Sequence, residues 1–187
     1  MKYGIPKQST DGRYYLKTST DEGKKVFVQL DNVSLENVDQ TQYTVSLTAK
    51  AQEKVHHIES QNIIAAKENC LSWFGKDLTE KTLNAAYTGS STEKMMNVSK
   101  ATERGQAVTR VFDSTKQLVT EWNCQEQVKC DMILEFSGIC FSKKTFSPIW
   151  KAVQIRLKPE PVKKYTDECL FEDGQEDDDE SSDTDFF

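Results

Sequence analysis

The sequence predicts a mainly β fold of the α+β class, and two observations lead to this prediction. About seven short segments alternate between apolar and polar residues with the period of two that a half-buried β-strand requires. Helical periodicity is confined to the middle of the chain. At 187 residues, the chain can form one ordinary domain with a hydrophobic core of useful size.

The first half of the chain predicts three strands and then two helices. The segments "GRYYLK", "KKVFVQL" and "QYTVSLTAK" are rich in β-branched and aromatic residues, as strands are. "SQNIIAAKENCLSWFG" predicts a helix that stops at Gly75. "DLTE" is typical of a capping box and predicts a shorter helix through Leu83 and Tyr87. The apolar stripe of the longer helix consists of Ile63, Ile64, Cys70, Leu71 and Phe74.

The second half predicts a loop followed by four strands. "TGSSTEKMMNVSKATERGQ" has the composition of a loop, whereas "AVTRVF" and "QLVTEW" predict strands. "VKCDMILEF" is the clearest strand, because every second residue is apolar and all of these residues face one side. "IWKAVQIRL" is the last strand, and the prolines of "KPEPVKK" end the regular structure.

This order of elements favours a small barrel. The helical region follows the third predicted strand, which is the usual position of the helix in the oligonucleotide-binding (OB) fold. We therefore predict an OB-like barrel of five or more strands with a mid-chain helix in residues 1–166, with an open α+β sheet as the alternative. Residues 167–187 are predicted to be a disordered acidic tail, because like charges repel and few apolar residues are available for burial.

Motifs for catalysis and metal binding are missing from the sequence. His56 and His57 are adjacent, and there is no Gly-rich phosphate loop, HExxH or GxSxG. The five cysteines show no CxxC spacing, so neither a disulfide framework nor a zinc site is indicated. We expect no enzyme, cofactor or metal. A signal peptide and a long apolar stretch are also missing, so we expect a soluble intracellular protein without a membrane partner.

Strand alternation places aromatic residues on the side that faces water. Tyr15, Phe27 and Trp150 fall on the outer faces of their strands, and each has Lys or Arg neighbours there. Tyr14, in contrast, is predicted to face the core. Bases of single-stranded nucleic acids stack on such rings while Lys and Arg contact the phosphates. The alternative is that these rings pack beneath a loop or a second layer.

The richest basic stretch is "CFSKKTFSPIWKAVQIRLKPEPVKK", which interleaves cations with aromatic residues and contains a single acid. Interleaving of this kind indicates nucleic-acid binding better than a charge run alone, which is usually a solvated face. Arg110 adds a cation from a preceding segment. The sequence does not distinguish DNA from RNA as the ligand. The predicted contacts within the stretch are Phe141, Lys143, Lys144, Phe146, Trp150, Lys151, Arg156 and Lys158.

The charge of the chain is unevenly distributed. Residues 167–187 contain 11 Asp and Glu and no Lys or Arg. The other 166 residues therefore hold all 24 basic residues against 19 acidic ones, a net charge of +5. This asymmetry points to a polyanion-binding surface and to an acidic segment that competes for it.

The acidic segment finishes with "EDGQEDDDESSDTDFF". A basic body with an acidic, phenylalanine-ended tail resembles the replicative single-stranded DNA-binding proteins of bacteria, phages and large DNA viruses, and the phage and viral type most closely. The resemblance implies sequence-independent binding of single-stranded DNA in replication, recombination or repair, at the site of DNA replication. It also implies that Asp183, Asp185, Phe186 and Phe187 recruit replication proteins.

A different class of function is compatible with the same segment. In a histone chaperone or a transcription cofactor, an acidic tail binds basic proteins, and such a protein would not prefer single-stranded over double-stranded DNA. A solubilising tail is the plainest interpretation of the composition. The sequence leaves the oligomeric state open.

Overall fold

The computed structural model of the chain describes residues 1–92, 94–120, 122 and 127–159. These residues form thirteen strands and three helices, which confirms the predicted mainly β fold. The predicted tail, residues 167–187, lies outside them. The helices are α1 (Ala49–Glu68), α2 (Cys70–Phe74) and α3 (Glu80–Ala86). The strands are β1 (Lys2–Tyr3), β2 (Lys7–Gln8), β3 (Tyr14–Ser19), β4 (Val26–Val38), β5 (Gln42–Ser46), β6 (Ser91–Thr92), β7 (Met95–Lys100), β8 (Thr102–Glu103), β9 (Gln106–Ala107), β10 (Arg110–Phe112), β11 (Leu118–Val119), β12 (Val128–Phe141) and β13 (Phe146–Leu157).

Five of these strands close into a barrel. Around the barrel the order is β4, β5, β7, β13 and β12, and β12 pairs again with β4. Every junction is antiparallel except the one between β7 and β13, which is parallel. In chain order this is 1-2-3-5-4, the strand order of the OB fold. The predicted OB-like barrel is therefore confirmed.

Alternating apolar side chains fill the inside of the barrel. On β12, the predicted inward residues Cys130, Met132, Leu134 and Phe136 are all buried, with at most 1% of each exposed. A small barrel has no lumen, because side chains from all of its strands fill the interior. Each fully buried large apolar side chain contributes about 1.5–3 kcal/mol, so this row is a main source of stability.

β12 is long enough to pair with two different strands along its length. Its first part pairs with β4, and its last four residues pair with β3 instead. The register with β13 shifts between these parts, just before Gly138, whose φ is +146°. A Cβ atom at this position would lie 1.9 Å from the carbonyl oxygen of Leu16, so only glycine fits. Of the first three predicted strands, β3 thus pairs with β12 and not with β4, whereas β4 and β5 form a hairpin.

The helices cover one end of the barrel, and α1 differs from its prediction. It begins at Ala49, earlier than predicted, with Thr48 as the N-cap. The predicted apolar stripe is wrong in part: Cys70 is buried and Phe74 packs against the core, but Ile64 and Leu71 are 57% and 70% exposed. Small and polar side chains face the protein instead, and alanine lets the helix backbone approach closely. The buried residues of α1 are Ala51, Val55, Glu59, Asn62, Ala65 and Ala66.

The two buried polar residues of α1 are satisfied by hydrogen bonds. Glu59 accepts bonds from the N–H and the hydroxyl of Ser90, at 2.7 and 2.5 Å. Asn62 accepts from the Tyr3 hydroxyl at 2.9 Å and donates to the Tyr87 hydroxyl at 3.0 Å. Burial raises the pKa of both tyrosines. These bonds fix α1 to β1 and to the end of α3.

Two further predictions concern the middle of the chain. The shorter helix is confirmed as α3, although Thr79 rather than Asp77 is its N-cap. The predicted loop is wrong, because it contains β7, in which Met96 and Val98 are 1% and 0% exposed. β7 is the third barrel strand, so the helices lie between the second and third barrel strands and not after the third. The strands predicted in "AVTRVF" and "QLVTEW" are confirmed in part as the short strands β10 and β11.

Candidate nucleic-acid interface

The solvent side of β4, β12, β13 and β10 forms one continuous surface, which we call the outer face. Phe27 lies opposite Glu135, and Glu135 lies opposite Lys151. Phe27 is 53% exposed, so its predicted outward orientation is confirmed. The outer face therefore presents an aromatic ring beside charged side chains. The adjacent row across the strands consists of Gln29, Ile133, Gln154 and Arg110.

A pocket of about 250 Å³ opens in the outer face. Phe112 and Lys116 form one wall, from β10 and the turn that follows it. The opposite wall includes Gln29, and Gln154 lies between them. Arg110, which the sequence predicted, lies on the outer face but does not line the pocket. Phe112 was not predicted, because nothing in the sequence shows that β10 pairs in parallel with β13. The pocket is smaller than a typical small-molecule site of about 300–1,000 Å³.

Asp131 is a buried carboxylate in the outer face, 5% exposed. Its Oδ2 accepts hydrogen bonds from both Arg156 Nε and Nη2 and from Lys158 Nζ, the last at 2.7 Å. Its Oδ1 accepts from the N–H of Asn32 at 3.0 Å. Burial opposes ionisation, but the bonds from Lys158, Asn32 and Arg156 outweigh it and lower the pKa of Asp131 to about 2. Two predicted phosphate contacts, Arg156 and Lys158, are thus held by a counter-ion.

Other cations of the outer face are less involved in ion pairs. Lys25 pairs with Glu135 at 2.9 Å. Lys151, Arg110 and Lys116 make no ion pair within the part of the chain that the structure describes. Of the predicted cations on this surface, Lys151 and Arg110 therefore remain best suited to meet a phosphate, and Lys116 joins them.

Tyr15 lies on the solvent side of β3 opposite Cys140, five residues along β12 from Glu135, which lies opposite Phe27. Its hydroxyl donates to Asp11 Oδ2 at 2.6 Å, and this bond raises the pKa of Tyr15 to about 12. The guanidinium carbon of Arg13 lies 6.0 Å from the ring centroid. Tyr15 and Phe27 share one side of β12 but are roughly 15 Å apart along it, so they would contact different bases.

The turn between β12 and β13 carries two predicted lysines, Lys143 and Lys144, and both are exposed. In the OB fold, the loop between the fourth and fifth strands takes part in oligonucleotide binding. The predicted rings beside the turn are buried: Phe141 is 7% exposed and Phe146 is 1% exposed. They face the helices, so the structure offers no ring for base stacking at either position. Tyr14, which shares their side, is 45% exposed because it lies at the edge of the core.

The prediction that Trp150 faces water is wrong. It is 3% exposed, and its ring centroid lies 5.1 Å from that of Phe136 in the core. The register of β12 and β13 passes from Gln154 to Ala152 and skips Val153. Val153 is thus a β-bulge, and a single extra residue inverts the alternation of every residue before it. Strict alternation from the end of β13 consequently placed Trp150 on the wrong side.

The face that binds ligands in many OB folds is unsuited to base stacking here. That face belongs to the second and third barrel strands, which are β5 and β7, and the structure describes both completely. Their outward side chains are mostly small and polar, and Thr44 Oγ1 bonds to Asn97 Oδ1 at 3.0 Å. Neither an aromatic nor a charged side chain lies among the outward residues Gln42, Thr44, Ser46, Met95, Asn97 and Ser99.

One protein-family model matches residues 31–173, which is most of the chain. The chain belongs to the family of unknown function DUF5871. No curated protein and no solved structure matches it. The match begins within β4, so it covers the pocket residues from β10 to β13 but neither Phe27 nor Tyr15.

The described residues contain neither a cluster of metal ligands nor a membrane-spanning helix. No group of three or more His, Cys, Asp or Glu side chains in the described ranges could hold a metal ion. No helix in the same ranges is long and apolar enough to cross a membrane. The predicted partner-binding residues Asp183, Asp185, Phe186 and Phe187 lie outside the described residues.

Proposed function

We propose that this protein is a non-enzymatic binding protein for single-stranded DNA, which it contacts along the outer face with little sequence preference. The observation that carries the proposal is Phe27, a ring 53% exposed on a barrel strand. Lys151 and Arg110, which make no ion pair in the described part of the chain, lie on neighbouring strands of the same face. A ring stacks on any base and a cation contacts any phosphate, so this arrangement needs no particular sequence.

The barrel supports the proposal at the level of the fold, although one fold hosts many functions. Lys143 and Lys144 occupy a loop position that binds oligonucleotides in OB folds. Because the outward side chains of β5 and β7 from Gln42 to Ser46 and from Met95 to Ser99 include no ring and no cation, the proposed path of the strand runs over β4, β12 and β13. The path crosses few unpaired cations, so we expect moderate affinity with a clear dependence on salt.

The proposal extends to the role of the protein in DNA replication, recombination or repair. The acidic segment, residues 167–187, would recruit replication proteins, as the resemblance implies. The division of charge supports this: a body of net charge +5 suits DNA, and 11 acidic residues without a basic one suit a basic partner surface.

The test is a fluorescence anisotropy titration of the full-length protein with labelled oligo-dT, beside the same length of duplex and of oligo-rU. We expect oligo-dT to bind more tightly than duplex, with an affinity that falls linearly on a log–log plot against salt. Equal affinity for duplex and single strand would contradict the proposal and favour a general polyanion surface. Preference for oligo-rU would assign the site to RNA.

Two substitutions test whether Phe27 belongs to the DNA-binding site. Phe27→Ala should weaken oligo-dT binding by about 1–3 kcal/mol, roughly a 5- to 150-fold rise in Kd. Leu71→Ala is the matched control, because Leu71 is 70% exposed on α2, away from the outer face. If both variants bind like the wild type, the strand does not cross Phe27 and the proposed site is incorrect.

A further inference from the structure

A groove of about 440 Å³ lies between the β12–β13 hairpin and the helices α2 and α3. We call it the aromatic groove. Phe74, Phe141 and Phe146 form its floor, with ring centroids 5.4 to 5.9 Å apart. Tyr14 stands at the rim and is 45% exposed. The groove is thus a concave apolar surface in which Phe141 and Phe146 are 7% and 1% exposed and Tyr14 is the most exposed ring.

The rim of the aromatic groove is basic. Lys76, Lys143 and Lys144 line it, and all three are exposed. Among the described residues, no Asp or Glu lines the groove. An occupant that suits this surface has an apolar or aromatic group for the floor and negative charges for the rim. A purely apolar occupant would leave the lysines without partners, and a purely anionic one would leave the floor uncovered.

A segment of this chain has that chemistry. Residues 167–187 contain 11 acidic residues and no basic one, and two adjacent phenylalanines follow the acidic run. We propose that Phe186 and Phe187 of this chain occupy the aromatic groove, while the carboxylates that precede them lie along Lys76, Lys143 and Lys144. The proposal does not depend on the proposed binding of DNA.

The segment can reach the groove of its own chain. The last described residue, Pro159, follows the end of β13, and the groove lies beside the start of that strand at Phe146. Twelve strand residues span about 40 Å. The chain from Pro159 to Phe186 can span about 90 Å when fully extended, which is more than twice that distance. Docking within one molecule is therefore sterically accessible.

The aromatic groove and the outer face lie on opposite sides of the β12–β13 hairpin. Phe141 pairs with Phe146 on the groove side, whereas Cys140 pairs with Ser147 on the other side. A segment docked in the groove would not cover Phe27 or Lys151. Docking and DNA binding would thus share only Lys143 and Lys144 of the turn and would otherwise use separate surfaces, in contrast to the direct competition that the uneven charge of the chain predicts.

Hydrogen exchange measured by mass spectrometry on the full-length protein tests the proposal. The double variant Phe186→Ala/Phe187→Ala should exchange several-fold faster than the wild type in peptides that cover α2 and the hairpin turn. A synthetic peptide of residues 176–187, added to this variant, should restore the slow exchange. The same peptide with both phenylalanines replaced by alanine should not.

A matched control lies in the same segment. Leu170→Ala/Phe171→Ala removes two large apolar side chains without changing the charge, and it should leave the exchange of the groove unchanged. Unchanged exchange in Phe186→Ala/Phe187→Ala, or equal acceleration in both variants, would overturn the proposal. Saturating oligo-dT should leave the groove protected, and loss of protection would overturn the assignment to separate surfaces. The first comparison uses no nucleic acid, so its outcome is independent of the proposed function.

Discussion

Substitution of Asp131 by Asn should lower the free energy of unfolding, because Asp131 is a buried carboxylate that accepts several hydrogen bonds. The carboxylate is 5% exposed and accepts bonds from Arg156, Lys158 and the N–H of Asn32. These contacts lower its pKa from 3.8 to about 2. A difference of this size corresponds to about 2.5 kcal/mol of stability near pH 7, because the folded state favours the ionised form.

The pH dependence follows from the direction of this pKa change. A lowered pKa stabilises the fold above the unfolded value of 3.8, and the contribution is lost as the pH falls through about 2. Wild type and Asp131→Asn should therefore differ most above about pH 5, and the difference should shrink between pH 4 and pH 2. Urea unfolding followed by circular dichroism at several pH values measures both effects.

The control is Asp77→Asn, which changes an exposed carboxylate ahead of α3. It should unfold like the wild type at every pH. If Asp131→Asn also unfolds like the wild type at pH 7, the bonds to Arg156 and Lys158 contribute no net stability and the reasoning fails. Under the proposed function, the same variant frees two cations, so its affinity for oligo-dT should rise and depend more steeply on salt.

Two further predictions concern packing. Trp150→Ala should lower the free energy of unfolding by about 3–5 kcal/mol, as expected for a buried aromatic residue, whereas Phe27→Ala should change it by about 0.5 kcal/mol or less; equal urea midpoints for the two variants would contradict the assigned faces. Gly138→Ala should prevent the approach of β3 to β12, because the added Cβ would meet the Leu16 carbonyl oxygen at 1.9 Å. Gly23→Ala is its control, since Gly23 also has a positive φ but open space around it. If thermal unfolding shows the same fall in melting temperature for both variants, the backbone conformation alone is responsible.

The sequence predicted the barrel because its most informative strand is regular. From Cys130 to Phe136, every second residue of β12 is buried, as simple alternation requires. Alternation failed at Trp150, because a single bulge residue, Val153, inverts the phase and nothing in "IWKAVQIRL" marks it. The short strand β7 was missed for another reason: its two buried residues, Met96 and Val98, lie among Ser, Thr and Lys that are typical of loops.

The candidate site was predicted in part. Phe27 was found because β4 alternates regularly around it. Phe112 was missed because its place beside Arg156 depends on a parallel pairing between distant segments, and short-range patterns contain no information about such pairings. The sequence also did not predict that Asp131 pairs with Arg156 and Lys158. Asp131 lies on a different strand, where its neighbours in the sequence are apolar.

Closure of the barrel by β12 and β13 has a consequence for synthesis on the ribosome. β4, β5 and β7 emerge first and can pair with one another, and β6 pairs with the start of β7. The edge of β4 and the end of β7 at Ser99 and Lys100, however, find their partners only in β12 and β13. Until these last strands have left the exit tunnel, two unpaired edges remain exposed, and such edges readily join other chains. A nascent chain that stalls before Val128 should therefore depend on chaperones, and slower emergence of the second half should lower the yield of folded protein.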